Sequence, residues 1–147
     1  MQFHAGKLDE SKFAVPHGYA GRAHGFDRVS LIDRGIGSVH MGVGVCRLAA
    51  GGGVDACVHA NEKGIYVFEG EIEVKRGNQV FKLAQDDYAL ISTGVTHAYR
   101  NVSNKPARWF DMQVGRTCRR RFTEQPVDEV DHRRIKRQVF QLRLILV

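Results

Sequence analysis

The sequence predicts an all-β domain. Short segments in which apolar and polar residues alternate with a period of two recur from residue 29 to residue 114, and turn-forming residues separate them at intervals of about 8 to 12 residues. That is the pattern of a sandwich or barrel. The 147 residues are one domain's worth of chain, enough to bury a core. On this reading the chain divides into an N-terminal arm (1–28), a barrel (29–115) and a basic, linker-like tail (116–147).

The arm is mixed. Gly18, Gly21 and Gly25 break any period among scattered histidines, so it is expected to wrap the barrel or to meet a partner subunit. From Val29 to Leu48 the chain reads as strands, with Met41, Val43 and Val45 alternating with Gly42, Gly44 and Cys46. The three glycines at 51–53 are expected to form a turn into the strand Val54–His59. Ile65–Phe68 follows, and Gly70 bends the chain into a half-exposed strand, Glu71–Arg76. Gly77-Asn78 is a two-residue hairpin signal with glycine first, as a type II′ turn prefers. Val80, Phe81 and Leu83 resume the sheet, Asp86-Asp87 turn it, and Tyr88–Ile91 form another strand before the turn at Thr93-Gly94. His97–Val102 and Ala107–Val114 complete the barrel, and beyond Val114 the pattern fails.

Charge narrows the function. Residues 1–114 carry a net charge of +1 and residues 115–147 carry +5, so the +6 of the whole chain belongs to the tail. A near-neutral barrel has no electrostatic footprint for phosphates, and nucleic acid is not an expected partner. No apolar run approaches the roughly 18 residues of a membrane span, and the first residues lack the apolar core of a signal peptide, so a cytoplasmic address without membrane contact is expected. Three cysteines cannot all pair within the chain. Cys46 and Cys57 are symmetrical about the glycine turn, which leaves a disulfide across a hairpin open, although a reducing compartment argues against it.

Two stretches carry the chemistry. Cys57-Val-His59-Ala-Asn-Glu62-Lys63-Gly-Ile-Tyr-Val-Phe-Glu69-Gly70 places a thiol and an imidazole two residues apart, on one face of an extended strand. Asp86, Ser92, Gly94, His97 and Asn101 form the second. Together they resemble the paired motifs of the cupin superfamily, G-x5-H-x-H-x3,4-E-x6-G and G-x5-P-x-G-x2-H-x3-N. Aligned on Gly70, the positions that read His, His and Glu in the first motif read Cys57, His59 and Lys63 here. In the second motif Gly94, His97 and Asn101 match, while Asp86 stands for its first glycine and Ser92 for its proline. The resemblance implies a cupin double-stranded β-helix, or jelly-roll barrel, and inward ligands for one divalent metal. Across residues 38–114 it narrows to the N-terminal half of two-cupin proteins related to ureidoglycine aminohydrolase, or a single-domain relative. It further implies a homodimer and a small-molecule ligand.

Lys63 departs most from that pattern. An ammonium has no lone pair and repels a cation, so it is read as a non-ligand that forms a buried ion pair with Glu62 or Glu69, or serves as a base of lowered pKa. Cys57, His59 and His97 are the candidate metal ligands, with zinc, iron, manganese, nickel or copper as the ion, or none. Lys63, Tyr99, Phe110 and Arg100 are the candidate pocket residues. Arginine suits a substrate carboxylate because its planar fork binds both oxygens. The preferred reading is a small-molecule-binding or non-catalytic module with a degenerate metal site. The alternatives are a metal-dependent hydrolase, isomerase or dioxygenase acting on a small polar metabolite through Cys57, His59 and His97, and an interaction protein acting through its basic tail.

Overall fold

The computed structural model describes residues 3–114, which form eight strands: β1 (Ala23–Ile32), β2 (Met41–Cys57), β3 (Glu62–Glu69), β4 (Ile72–Arg76), β5 (Gln79–Leu83), β6 (Tyr88–Ile91), β7 (His97–Arg100) and β8 (Ala107–Val114). The expectations placed on the basic tail lie outside the described residues. Hydrogen-bonded neighbours run β5-β4-β7-β2-β8-β3-β6, with β1 pairing β2 off this path, and every pairing is antiparallel. This is the barrel that the alternation predicts.

The glycine run differs from expectation. It does not turn the chain; β2 continues through it as one 17-residue strand. Residues Met41–Leu48 pair with β8, while Gly53, Val54 and Cys57 pair with β7, so the bend at the glycines carries the strand from one half of the barrel to the other. Side chains would block that bend: a Cβ on Gly52 would lie 2.8 Å from Leu48 Cδ1 and 2.9 Å from Ala49 O, and one on Gly53 2.9 Å from the His24 ring. Cys46 and Cys57 therefore do not face one another across a hairpin, and both are free thiols. β1 begins at Ala23, inside the segment expected as arm, and pairs with β2 over nearly its whole length. The two-residue loop Gly77-Asn78 joins β4 to β5 as expected, with Arg76 opposite Gln79.

The core lies between the two halves. Tyr99 of β7 packs on Trp109 of β8 with ring centroids 5.7 Å apart, and Phe26 of β1 stacks on the same indole at 6.0 Å. Leu48, Val54, Ile65, Val67, Ile72 and Val74 surround these rings, all essentially buried. Each such side chain contributes about 1.5–3 kcal/mol of burial. Against this apolar lining, four buried residues are polar: Lys63, His97, Asn101 and Asp111. Asn101 is structural, since its amide donates to Leu48 O and Lys105 O and its oxygen accepts from Ser103, closing the β7–β8 loop. The other three belong to one polar cluster.

Candidate metal centre

Cys57 ends β2, His97 begins β7, and the β2–β7 register sets the two opposite each other. His59 follows β2 by two residues and lies on the same side. Cys57 Sγ is 3.5 Å from His59 Nε2 and 3.7 Å from His97 Nε2, and one ligand atom from each residue lies within 4.8 Å of the others. Donors bound at about 2.0–2.3 Å to a tetrahedral ion stand about 3.5 Å apart, so both cysteine edges fit a single ion. The donors are also in the right chemical state. His97 Nδ1 donates to Val95 O at 2.8 Å, which leaves the lone pair on Nε2, toward Cys57. Burial, with the charges of Lys63 and His97, pushes His59 down to about 4, and burial also lowers His97, so both rings are neutral at pH 7. Burial raises the Cys57 thiol, opposed by the charges of Lys63 and Arg22, so binding an ion would release its proton.

Lys63 is buried beside this group, and its partner is neither Glu62 nor Glu69. Its Nζ lies 3.2 Å from Asp111 Oδ1, a charge contact, since Oδ1 has no directed hydrogen bond. Arg28 Nε and Gln113 Nε2 hold the other oxygen, Oδ2, each at 3.1 Å. The expected lowered pKa is also overturned: burial lowers it, but the charge of Asp111, with Tyr19 and Cys46, outweighs burial and the net shift is upward. Lys63 stays an ammonium whose charge Asp111 compensates. It donates to Tyr19 Oη at 3.3 Å, and Tyr19 Oη lies 3.3 Å from His59 Nε2, so an ordered chain runs Asp111–Lys63–Tyr19–His59. Tyr19 and Asp111 were missed in the sequence. Asp111 shares a strand face with Ala107 and Trp109, but only the structure shows that this face is the inward one. Tyr19 had no signal, because it reaches the cluster from the arm.

Of the expected pocket residues, Tyr99 is inward, its ring 5.2 Å from that of His97. Phe110 is placed elsewhere, whereas Arg100 shares a groove with His97 and Tyr99. Phe110 alternates with inward Trp109 and packs on Phe68 on the outer face, with centroids 5.0 Å apart. Arg100 is exposed and lines an open groove with His24, Asp55 and Lys75 on the outer side of β2, β4 and β7. That groove meets His97 from one side, and a second cavity, of about 290 Å³ and walled by β4, β5 and β6, ends at His97 from another.

Residues 44–113 match the family described as Cupin domain. The barrel has the cupin fold. Solved structures agree on the fold. The polyketide cyclase RemF from Streptomyces resistomycificus is 16% identical over 76% of this chain and 80% of its own, with a TM-score of 0.67. The cupin domain of Schizosaccharomyces pombe Cnp3 is 17% identical over 62% and 65%, with a TM-score of 0.56. A Cupin_2 domain of an XRE family transcriptional regulator from Enterobacter cloacae is 19% identical over 64% and 100%, with a TM-score of 0.55. No curated protein matches the chain. At these identities the likeness concerns the fold, and the cupin barrel hosts many chemistries. Among the described residues no helix is long and apolar enough to cross a membrane.

Proposed function

We propose that this cupin domain holds one transition-metal ion on Cys57, His59 and His97 and acts as a metal-dependent enzyme on a small molecule admitted to the barrel. The observation that carries the reading is the spacing of the three donors, at 3.5 and 3.7 Å from the thiol, together with the compensation of the Lys63 charge by Asp111. A thiolate with two imidazoles suits zinc, iron or copper before nickel or manganese. Bound there with a position left open, such an ion supplies Lewis-acid polarisation or an activated water. The chain's own residues supply the rest. Tyr19 offers a hydroxyl proton beside the centre, and the Lys63 ammonium that holds its oxygen would steady negative charge developing there. Asp111 and Arg28 fix Lys63 in place.

The basic residue at the motif's carboxylate position favours a second reading, a metal-free binding module. Elemental analysis of protein grown in metal-supplemented medium separates the two. About one ion per chain, lost in each of Cys57→Ala, His59→Ala and His97→Ala while the fold is retained, supports the enzyme. Folded wild-type protein without stoichiometric metal overturns it and leaves the binding module.

A further inference from the structure

The cavity beside the centre is lined unevenly, and the unevenness describes a ligand. β5 and β6 are the two ends of the strand order, so no backbone ladder joins them, and the cavity of about 290 Å³ opens along their seam. Residues directly opposite in an antiparallel pair share a face. Phe81 stands opposite Val74, and Leu83 opposite Ile72, so Phe81 faces inward with these core residues. Yet Phe81 is 47% exposed where Val74 is 5%. A phenylalanine turned toward the barrel interior and left half in water lines space that the protein's own side chains do not fill. Across the seam, Ala89 and Ile91 stand opposite Ile65 and Lys63, which places them inward too, and the small side chain of Ala89 leaves that wall open.

Charge enters this lining at one position. Arg76 lies two residues beyond Val74 on the same strand face. The β4–β7 register, Val74 opposite Tyr99 and Lys75 opposite Ala98, sets Arg76 level with His97 when continued by one residue. Arg76 lines the cavity and takes part in no ion pair among the described residues.

We propose that the cavity binds a ring-sized carboxylate: an apolar ring against Phe81, Val74, Ala89 and Ile91, the carboxylate on Arg76, and a further polar substituent directed at the Cys57–His59–His97 centre. Size follows from volume, since a cavity of about 150 Å³ admits one benzene ring, and this one takes a single ring with a short substituent or a fused pair. The anionic group follows from the planar fork of the guanidinium, which pairs with both oxygens of a carboxylate. The assignment of a substrate class rests on the metal-centre reading; the binding of the ring and carboxylate does not.

Calorimetric titration of the metal-loaded protein with benzoate, phenylacetate, benzamide and acetate tests this. Saturable binding of a ring carboxylate is expected, with benzamide and acetate weaker by about tenfold or more. Arg76→Gln will remove the preference for carboxylate over amide at unchanged metal content. Ala89→Phe, which fills the space, will abolish binding; should that variant fail to fold, Arg76→Gln, at an exposed side chain, carries the test. Acetate binding as well as benzoate, no binding of either ring carboxylate, or an Arg76→Gln variant that keeps the preference overturns the proposal. Titration of metal-stripped protein keeps the two readings apart. Ring carboxylate bound without metal sustains the cavity assignment even where elemental analysis finds no ion, and stoichiometric metal without such binding overturns the cavity assignment alone.

Discussion

Lys63 and Asp111 are a charge pair in which each side chain is nearly excluded from water, and neither is tolerable alone. Removing one partner of a buried pair leaves an uncompensated charge and costs about 3–5 kcal/mol. Because Arg28 still touches Asp111, Lys63→Met is expected at the low end, about 3 kcal/mol by urea denaturation, with part recovered in Lys63→Met/Asp111→Asn. An unchanged midpoint in the single variant would show that the pair is not compensating. The histidines give a pH dependence of definite sign. His59 falls from 6.5 to about 4 in the folded protein through burial and the charges of Lys63 and His97, and burial lowers His97 too. The unfolded chain therefore binds more protons in this window, and unfolding is favoured as the pH falls. The contribution is complete above about 6.5 and is lost as the pH drops toward about 4, so the metal-free protein will show a falling denaturation midpoint across that window. A midpoint that stays flat between about pH 7 and about pH 4.5 contradicts the assignment of two neutral rings.

At the scale of elements, two turns explain which motif positions tolerate exchange. Gly70, between β3 and β4, has φ 73°, and a Cβ there would meet Pro106 O at 2.5 Å and Ala107 Cα at 2.9 Å. Both obstacles are backbone and cannot swing aside. Gly70→Ala is expected to cost about 2 kcal/mol or more in a thermal or chemical melt. Asp86, where the cupin motif has glycine, also lies in the left-handed region, at φ 71°, the one non-glycine residue to do so among those described. Aspartate bears that conformation better than most residues, and its carboxylate accepts from Tyr66 Oη at 2.8 Å. Asp86→Ala loses both and should destabilise by about 1 kcal/mol, whereas Asp86→Asn should be close to neutral. Equal stability of the alanine variant would show that this turn relaxes.

Across the whole molecule, the arm works as a strap that brings Tyr19 into the barrel. On the outer face Glu10 pairs with Arg108 at 2.7 Å and Arg47 at 3.5 Å, Phe13 lies under the Arg47 guanidinium at 4.4 Å, and Ala14 bridges to Arg28. Exposed contacts of this kind contribute about 0–1 kcal/mol each. Phe13→Ala should therefore leave global stability within about 1 kcal/mol while raising amide exchange from Ala14 to Arg22, read by hydrogen-exchange mass spectrometry. Protection unchanged in that segment would mean that Tyr19, not the strap, anchors the arm.

The sequence by itself determined the all-β class, most of the strands from β3 onward and the three candidate ligands. Alternation along a strand is fixed by covalent geometry, which puts Cys57 and His59 on one face, while the convergence of His97 with them was implied by the resemblance to the paired cupin motifs. It did not determine which face of a strand points inward, because both faces of β7 and β8 carry large side chains: Tyr99 and Trp109 turned in, Arg100 and Phe110 out. Nor did it show that the glycines of β2 carry the strand through a bend, since a glycine run reads equally as a hairpin. The partners of Lys63 were decided by tertiary structure alone. Asp111 and Tyr19 reach it from β8 and the arm, and a contact between segments so distant in sequence depends on register and closure, which no local pattern encodes.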